Sequence, residues 1–260
     1  MKLTIQNGGF GYHDRYLFSN INLTVNTCEV LAILGPNGIG KTTLLKCMMN
    51  MLPWKEGYAT LNDTDISEIS VKMFWKQVAY VPQAKSSACN YSVRDMVVLG
   101  RSTHVSLYSQ PDKNDEDVAE RAMETLNIAH LASRSCRTLS GGEMQLVLIA
   151  RALAGEPKIL IMDEPESNLD FHNQLMILDK IRELSKTMTC IINTHYPEHA
   201  LRISDKSLLF MGGGESIYGT TRDIITEENL RNAFNVNVKI GYVPVKEDMY
   251  HYILPLSIME

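Results

Sequence analysis

The chain has 260 residues, 45% of them hydrophobic and 21% charged, with a formal net charge of −5. This length accommodates one large α/β domain or a core with a subdomain, and the acidic balance gives no electrostatic case for nucleic acid as the main partner. The five cysteines (Cys28, Cys47, Cys89, Cys136, Cys190) are scattered without a C-x-x-C pair, which argues against a disulfide framework and for reduced thiols in the cytoplasm.

Met1-Lys2-Leu3 runs straight into a strand-like segment with no signal peptide, and no apolar run reaches the ~20 residues of a spanning helix. Work at a membrane would therefore need separate subunits for the span. Residues 2–6 and 21–25 are predicted as strands joined by a turn from Asn7 to Asp14. Tyr12 within that turn reads either as a half-buried turn residue or as an aromatic platform for a purine. An apolar strand, 28–34, then enters Gly35-Pro36-Asn37-Gly38-Ile39-Gly40-Lys41-Thr42-Thr43, and a helix from Thr42 to Met51 follows.

This stretch fits G-x-x-x-x-G-K-[ST] in the strand–loop–helix setting that the pattern needs. Glycines let the loop curl so that backbone N–H groups face phosphate oxygens, backed by the positive helix N-terminus. Lys41 can reach terminal phosphates and the Thr42 hydroxyl can ligate Mg²⁺. A plain glycine-rich turn explains these positions poorly, so the sequence implies a bound nucleoside triphosphate.

Further along, Tyr58 to Asn62 reads as an edge strand, 70–76 as a short helix, and Val78 to Val81 as a strand stopped by Pro82-Gln83. Gln83 is left at the strand tip with a side chain that both donates and accepts. From residue 84 the β-branched signal disappears. Ser92-Val93-Arg94-Asp95 opens a helix, Ser109 to Asp117 is polar, and 117–131 carry apolar positions at helical spacing. The reading is a mostly helical subdomain, about residues 84–155, inserted in an α/β core.

Leu139-Ser140-Gly141-Gly142-Glu143 starts the next long helix. Ser-x-x-Glu alone is a capping box, which leaves the glycine pair unexplained, whereas exposed N–H groups there would suit an anion. Ile159 to Met162 reads as a buried parallel strand ending in Asp163-Glu164. Adjacent carboxylates at such a place are costly unless they hold a metal or do chemistry: one holding Mg²⁺, the other orienting or deprotonating water. Asp170 is either an N-cap or part of the site. His195, after the strand Thr189–Thr194, is either a structural histidine or a ligand-facing group at a strand end. A hairpin over Gly212-Gly213-Gly214, a helix Thr226–Asn235 and added strands from Val236 to Pro255 complete the chain.

The ordered set Tyr12, Gly35–Thr43, Gln83, Leu139–Glu143, Ile159–Glu164, Ser167–Asp170 and His195 resembles the ATP-binding cassette family over about residues 2–225. The resemblance implies a P-loop NTPase (RecA-like) α/β core with an N-terminal antiparallel β-subdomain and an inserted α-helical subdomain. It implies a cassette domain over 1–240 and a β extension over 241–260.

Family roles follow position by position. Tyr12 is the adenine-stacking aromatic. Gly35, Pro36, Asn37, Gly38, Ile39, Gly40, Lys41, Thr42 and Thr43 form the Walker A loop. Gln83 senses Mg²⁺ and the γ-phosphate. Ser140, Gly141 and Gly142 are the signature serving the ATP of the opposite cassette, Asp163 supports Mg²⁺, and Glu164 is the catalytic glutamate. Asp170 belongs to the D-loop, and His195 is the switch histidine. Glu143 and Glu166 depart from the family's commoner glutamine and threonine.

The cofactors implied are ATP and Mg²⁺. The assembly implied is a homodimer of ATPase subunits at the cytoplasmic face of the membrane, with two ATP molecules held head to tail. Integral membrane permease subunits would dock near residues 84–112, with an extracytoplasmic substrate-binding protein acting indirectly and no nucleic acid. Leu99-Gly100-Arg101-Ser102-Thr103-His104 looks like a Leu-Gly-Arg-x-x-His feature of ATPases serving importers of iron chelates, haem and cobalamin. The alternative is a soluble scaffold such as an iron–sulfur cluster assembly ATPase, and a third possibility is an exporter's separate ATPase.

Overall fold

The structure is a computed structural model that describes residues 1–13, 15–83, 90–106, 109–245 and 248–259. Asp14, Cys89 and parts of the expected docking segment (84–89, 107–108) lie outside the described residues. The chain divides into two compact units, Met1–Glu68 with Ser185–Glu260, and Ile69–Leu184.

The first unit opens with β1 (Leu3–Tyr12) and β2 (Arg15–Val25). β3 (Val30–Leu34) and α1 (Lys41–Met48) flank the glycine-rich loop, and β4 (Glu56–Leu61) and β5 (Thr64–Asp65) follow. The turn expected from Asn7 to Asp14 is largely strand: β1 runs on to Tyr12, which pairs with Arg15. Register shifts between Ile5, Gly8 and Phe10 absorb the glycines as bulges. Gly8 is glycine because a Cβ there would sit 2.6 Å from the Ile5 and Trp54 side chains. The glycines read as a loop in the sequence because that packing partner is remote.

The second unit begins with α2 (Val71–Gln77) and β6 (Val78–Val81). α3 (Val93–Val98) opens on the Ser92–Asp95 capping box and leads into a 3₁₀ turn, Leu99–Thr103. α4 (Lys113–Thr125) starts earlier than its apolar periodicity suggested. Asp112 and Asp115 cap it reciprocally at 3.0 and 3.2 Å, so part of the acidic run is helix-starting chemistry. Residues past Thr125 leave the α-helix for a 3₁₀ turn, Ala129–Leu131. α5 (Gly141–Ala154), β7 (Ile159–Asp163) and α6 (Phe171–Leu184) complete this unit, with β6 and β7 paired in parallel.

The chain then returns to the first unit with β8 (Thr189–Asn193), α7 (Pro197–Ile203), β9 (Lys206–Gly212) and β10 (Glu215–Thr220). α8 (Thr221–Ile224), α9 (Glu227–Phe234), β11 (Val236–Val245) and β12 (Asp248–Ile258) end it. One antiparallel sheet has the order β2-β1-β4-β5. In a second sheet, β3 is flanked in parallel by β8 and β9, and β10 lies antiparallel on β9.

All five residues of β3 are buried, as its unbroken Val-Leu-Ala-Ile-Leu predicts for a parallel strand covered on both faces. Each such branched side chain contributes roughly 1.5–3 kcal/mol relative to exposure. Phe18 lies among Phe10, Trp54 and Phe210, with ring centroids 5.9–6.4 Å apart, giving the loop after β3 a rigid aromatic floor. Cys28, Cys47, Cys136 and Cys190 are free thiols. Among the described residues, no helix is long and apolar enough to cross a membrane. The result is a mixed α/β fold of the P-loop NTPase kind.

Candidate active site

In the first unit, the loop after β3 is shaped by three glycines with positive φ, Gly35 (148°), Gly38 (78°) and Gly40 (115°). At Gly35 a Cβ would also press on the Phe210 side chain at 2.9 Å. Gly40 is the N-cap of α1, and no side chain caps that helix. Its first turn carries no acidic residue, so its N–H groups and positive dipole end suit an anion. Lys41 is only 5% exposed. Its Nζ donates to the carbonyl oxygens of Gly35 at 2.8 Å and Pro36 at 3.1 Å. A buried ammonium thus lies within the loop, held by carbonyls that a more strongly charged acceptor could replace.

Tyr12, at the end of β1, is half exposed, with its ring edge-on to Phe10 at 5.2 Å. His195 follows β8 by two residues, and its ring meets that of Tyr196 at a 39° tilt with centroids 4.0 Å apart.

In the second unit, the ends of the parallel strands β6 and β7 bring Gln83, Asp163 and Glu164 together. Gln83 Nε2 donates to Glu164 Oε2 at 3.4 Å, and Ser167 Oγ donates to the same oxygen at 3.0 Å. Tyr80 donates its hydroxyl to Asp163 Oδ2 at 3.3 Å. Burial first, and then the Asp163 charge, push the Tyr80 hydroxyl's pKa upward, so it stays a donor. Glu164 has φ +48°, in the left-handed region that a non-glycine residue occupies at a cost of ~1–2 kcal/mol.

Ser140 and Glu143 form the reciprocal capping box of α5, at 2.7 and 3.2 Å. The backbone bond from Ser140 chiefly, with help from Arg134 at 3.0 Å, holds the Glu143 carboxyl below its ordinary range. A carboxylate is therefore well accommodated at this position. Gly142 has an internal reason to be glycine: a Cβ would meet Asn173 Oδ1 at 2.5 Å. Asn173 in turn donates from its backbone and side chain to the Asp170 carboxylate at 2.8 and 3.0 Å. Asp170 thus acts as the N-terminal cap of α6. Glu166 is fully buried.

The Leu99–His104 feature is a packed knot. Arg101, 4% exposed, donates from Nε to Asp115 at 2.8 Å. Its Nη1 donates to Glu156 at 2.8 Å and to the Ala154 carbonyl at 2.9 Å. His104 Nε2 lies 3.0 Å from the Gly155 carbonyl. Gly100 passes so close to α5 that a Cβ would fall 1.9 Å from the Arg151 carbonyl oxygen.

Sequence reasoning missed Tyr80, Ser167 and Asn173 as partners of the candidate residues. Ser167 and Asn173 lie three residues from Glu164 and Asp170, within reach of a local turn or helix reading. Tyr80 pairs 83 residues away, and its only signal was a polar tip on an otherwise apolar strand.

The ABC transporter family matches this chain over residues 18–167. The molybdate import ATP-binding protein MolC of Haemophilus influenzae is 37% identical over 98% of this chain and 96% of its own length. The iron(3+)-hydroxamate import ATP-binding protein FhuC of Bacillus subtilis is 31% identical, over 92% and 89% respectively. Among solved structures, a transporter described as metal-chelate type, in an inward-facing conformation, superposes with a TM-score of 0.88 at 36% identity, over 98% of this chain and 96% of that one. This chain therefore belongs to the ABC transporter family, as one of its ATP-binding and ATP-hydrolysing subunits.

Proposed function

We propose that this chain energises an importer of a metal complex, working as a homodimer at the cytoplasmic face of the membrane and docked to integral permease subunits. The observation that carries this reading is the full-length likeness to MolC, FhuC and the metal-chelate type transporter, which spans both compact units. The cargo is an iron chelate or a related metal complex; the likeness to MolC favours molybdate as the second reading.

In the proposed mechanism, the Gly35–Thr43 loop and the α1 N-terminus bind the phosphates. Lys41 exchanges its carbonyl partners for terminal phosphate oxygens. Tyr12 stacks on adenine. Thr42, Gln83 and Asp163 would hold Mg²⁺, which when bound neutralises phosphate charge. An oxygen-only set of so few side chains fits an ion that keeps waters and phosphates as its other ligands. No cluster of three or more His, Cys, Asp or Glu occurs among the described residues to favour a softer or fully caged metal.

Glu164 orients water and accepts its proton as the water oxygen bonds to the γ-phosphorus; the bond to the ADP oxygen breaks, and ADP leaves with that electron pair. Gln83 and Ser167 hold the Glu164 carboxylate for this task. His195 contacts the γ-phosphate. Ser140, Gly141 and Gly142 serve the ATP of the second copy, with Asp170 beside them in function. Closure of the pair on ATP and opening after hydrolysis drive the permease.

The test uses Glu164→Gln with ATP and Mg²⁺. The variant is expected to bind ATP, lose hydrolysis and run as a dimer in light scattering, where the parent with ADP is monomeric. A variant that hydrolyses at the parent rate, or stays monomeric with ATP bound, overturns the mechanism. Deleting the gene in its source organism and measuring uptake of radiolabelled ferric hydroxamate and molybdate decides the cargo. Unchanged uptake of both removes ferric hydroxamate and molybdate as the cargo.

A further inference from the structure

The segment after β8 reads His195-Tyr196-Pro197-Glu198-His199, and it brings two imidazoles into contact with the Tyr196 ring. The Tyr196 ring lies 4.0 Å from the His195 ring and 4.6 Å from the His199 ring, at interplanar angles of 39° and 43°. All three side chains are half-buried.

The backbone that carries the middle ring is held on both sides. Tyr196 is the N-cap of α7, its N–H donates to Thr194 Oγ1 at 3.1 Å, and its carbonyl accepts from the N–H groups of His199 and Ala200 at 3.1 and 3.4 Å. Pro197 at the first helical position locks the exit. The Tyr196 backbone is thus anchored at both ends of its peptide unit, and the His195 imidazole packs against the ring that this backbone carries. His195 itself follows the strand on a short link and has two soft side-chain torsions. A group meant to meet a phosphate oxygen must be held near its working orientation.

We propose that Tyr196 is a positioning residue for the hydrolytic reaction: its ring, in contact with both imidazoles, holds the His195 imidazole in its working orientation. This rests on the reading of His195 as a γ-phosphate contact. The holding is assigned to the aromatic face, and Tyr196→Phe tests the phenol hydroxyl separately.

The experiment measures steady-state ATP hydrolysis by the purified chain for Tyr196→Phe, Tyr196→Leu, His195→Ala and the Tyr196→Leu/His195→Ala double variant, with circular dichroism melting on each. Tyr196→Phe is expected to match the parent. Tyr196→Leu is expected to lower kcat about 3- to 10-fold with the KM for ATP unchanged, the scale of one lost ring–ring contact. In the His195→Ala background the same leucine is expected to change kcat less than about twofold, because the ring it positions is gone.

Parent-like kcat in a folded Tyr196→Leu overturns the proposal, as does a loss that repeats undiminished in the His195→Ala background. Parent-like hydrolysis by His195→Ala instead overturns the reading of His195 on which the proposal rests. Should Tyr196→Leu not fold, the comparison passes to Tyr196→Trp and Tyr196→Met: retained activity in the aromatic variant alone supports the proposal, and equal activity in both refutes it.

Discussion

Replacing Arg101 with methionine keeps the aliphatic stem and removes the cation from a buried pair. The side chains of Arg101 and Asp115 are 5% and 11% exposed, and they meet at 2.8 Å. Removing one partner of a buried pair costs ~3–5 kcal/mol, because the other charge stays desolvated without compensation. Asp115 retains its bonds to Asp112, which places the cost at the lower end, ~3 kcal/mol. Glu156 adds little: its side chain is 57% exposed, and water takes over its bond at a cost of no more than ~1 kcal/mol.

At about 2–4 °C per kcal/mol for a chain of this size, Arg101→Met should melt about 6–12 °C lower. Urea unfolding followed by circular dichroism provides the free energy. Glu156→Gln is the control, expected within ~1 kcal/mol of the parent. Adding Asp115→Leu to Arg101→Met should recover much of the loss by removing the stranded carboxylate. An Arg101→Met protein within ~0.5 kcal/mol of the parent would refute the reasoning and make the knot a surface contact.

Gly100→Ala should destabilise by about 3 kcal/mol in the same assay, since its Cβ would fall 1.9 Å from a helix carbonyl that cannot rotate away. The hydrogen bond from Arg101, foremost, holds the Asp115 carboxyl below its ordinary 3.8. Its stabilising contribution is thus full above pH ~4 and lost as pH falls through the lower folded value. Stability measured from about pH 5 to pH 2 should fall less steeply in Asp115→Asn than in the parent. Lys41→Ala should weaken ATP binding about 10- to 100-fold, as titration with a fluorescent ATP analogue would show, by removing charge-assisted bonds to phosphate.

Local chemistry was legible from residues alone. The glycine-rich loop needs Gly35, Gly38 and Gly40 for backbone reasons, so its pattern is written within nine consecutive residues. Buried strands such as Val30–Leu34 and Ile159–Met162 announce themselves because both of their faces are covered. Capping boxes at Ser92 and Ser140 close within four residues, and the membership of the family followed from the order of such short motifs.

What required the tertiary structure were contacts between residues distant in sequence. The β1 glycines read as a turn because Trp54, which crowds Gly8, is 46 residues further along the chain. Gly142 suggested an open anion site, whereas Asn173 on another helix gives it a packing reason as well. Gln83 and Glu164 meet across 81 residues, and Arg101 finds Glu156 across 55. Backbone torsion and hydrophobic periodicity are properties of neighbouring residues and leave a mark in the sequence. The partner of a polar side chain is chosen only when strands and helices pack, so which carboxylates face which donors was decided by the fold.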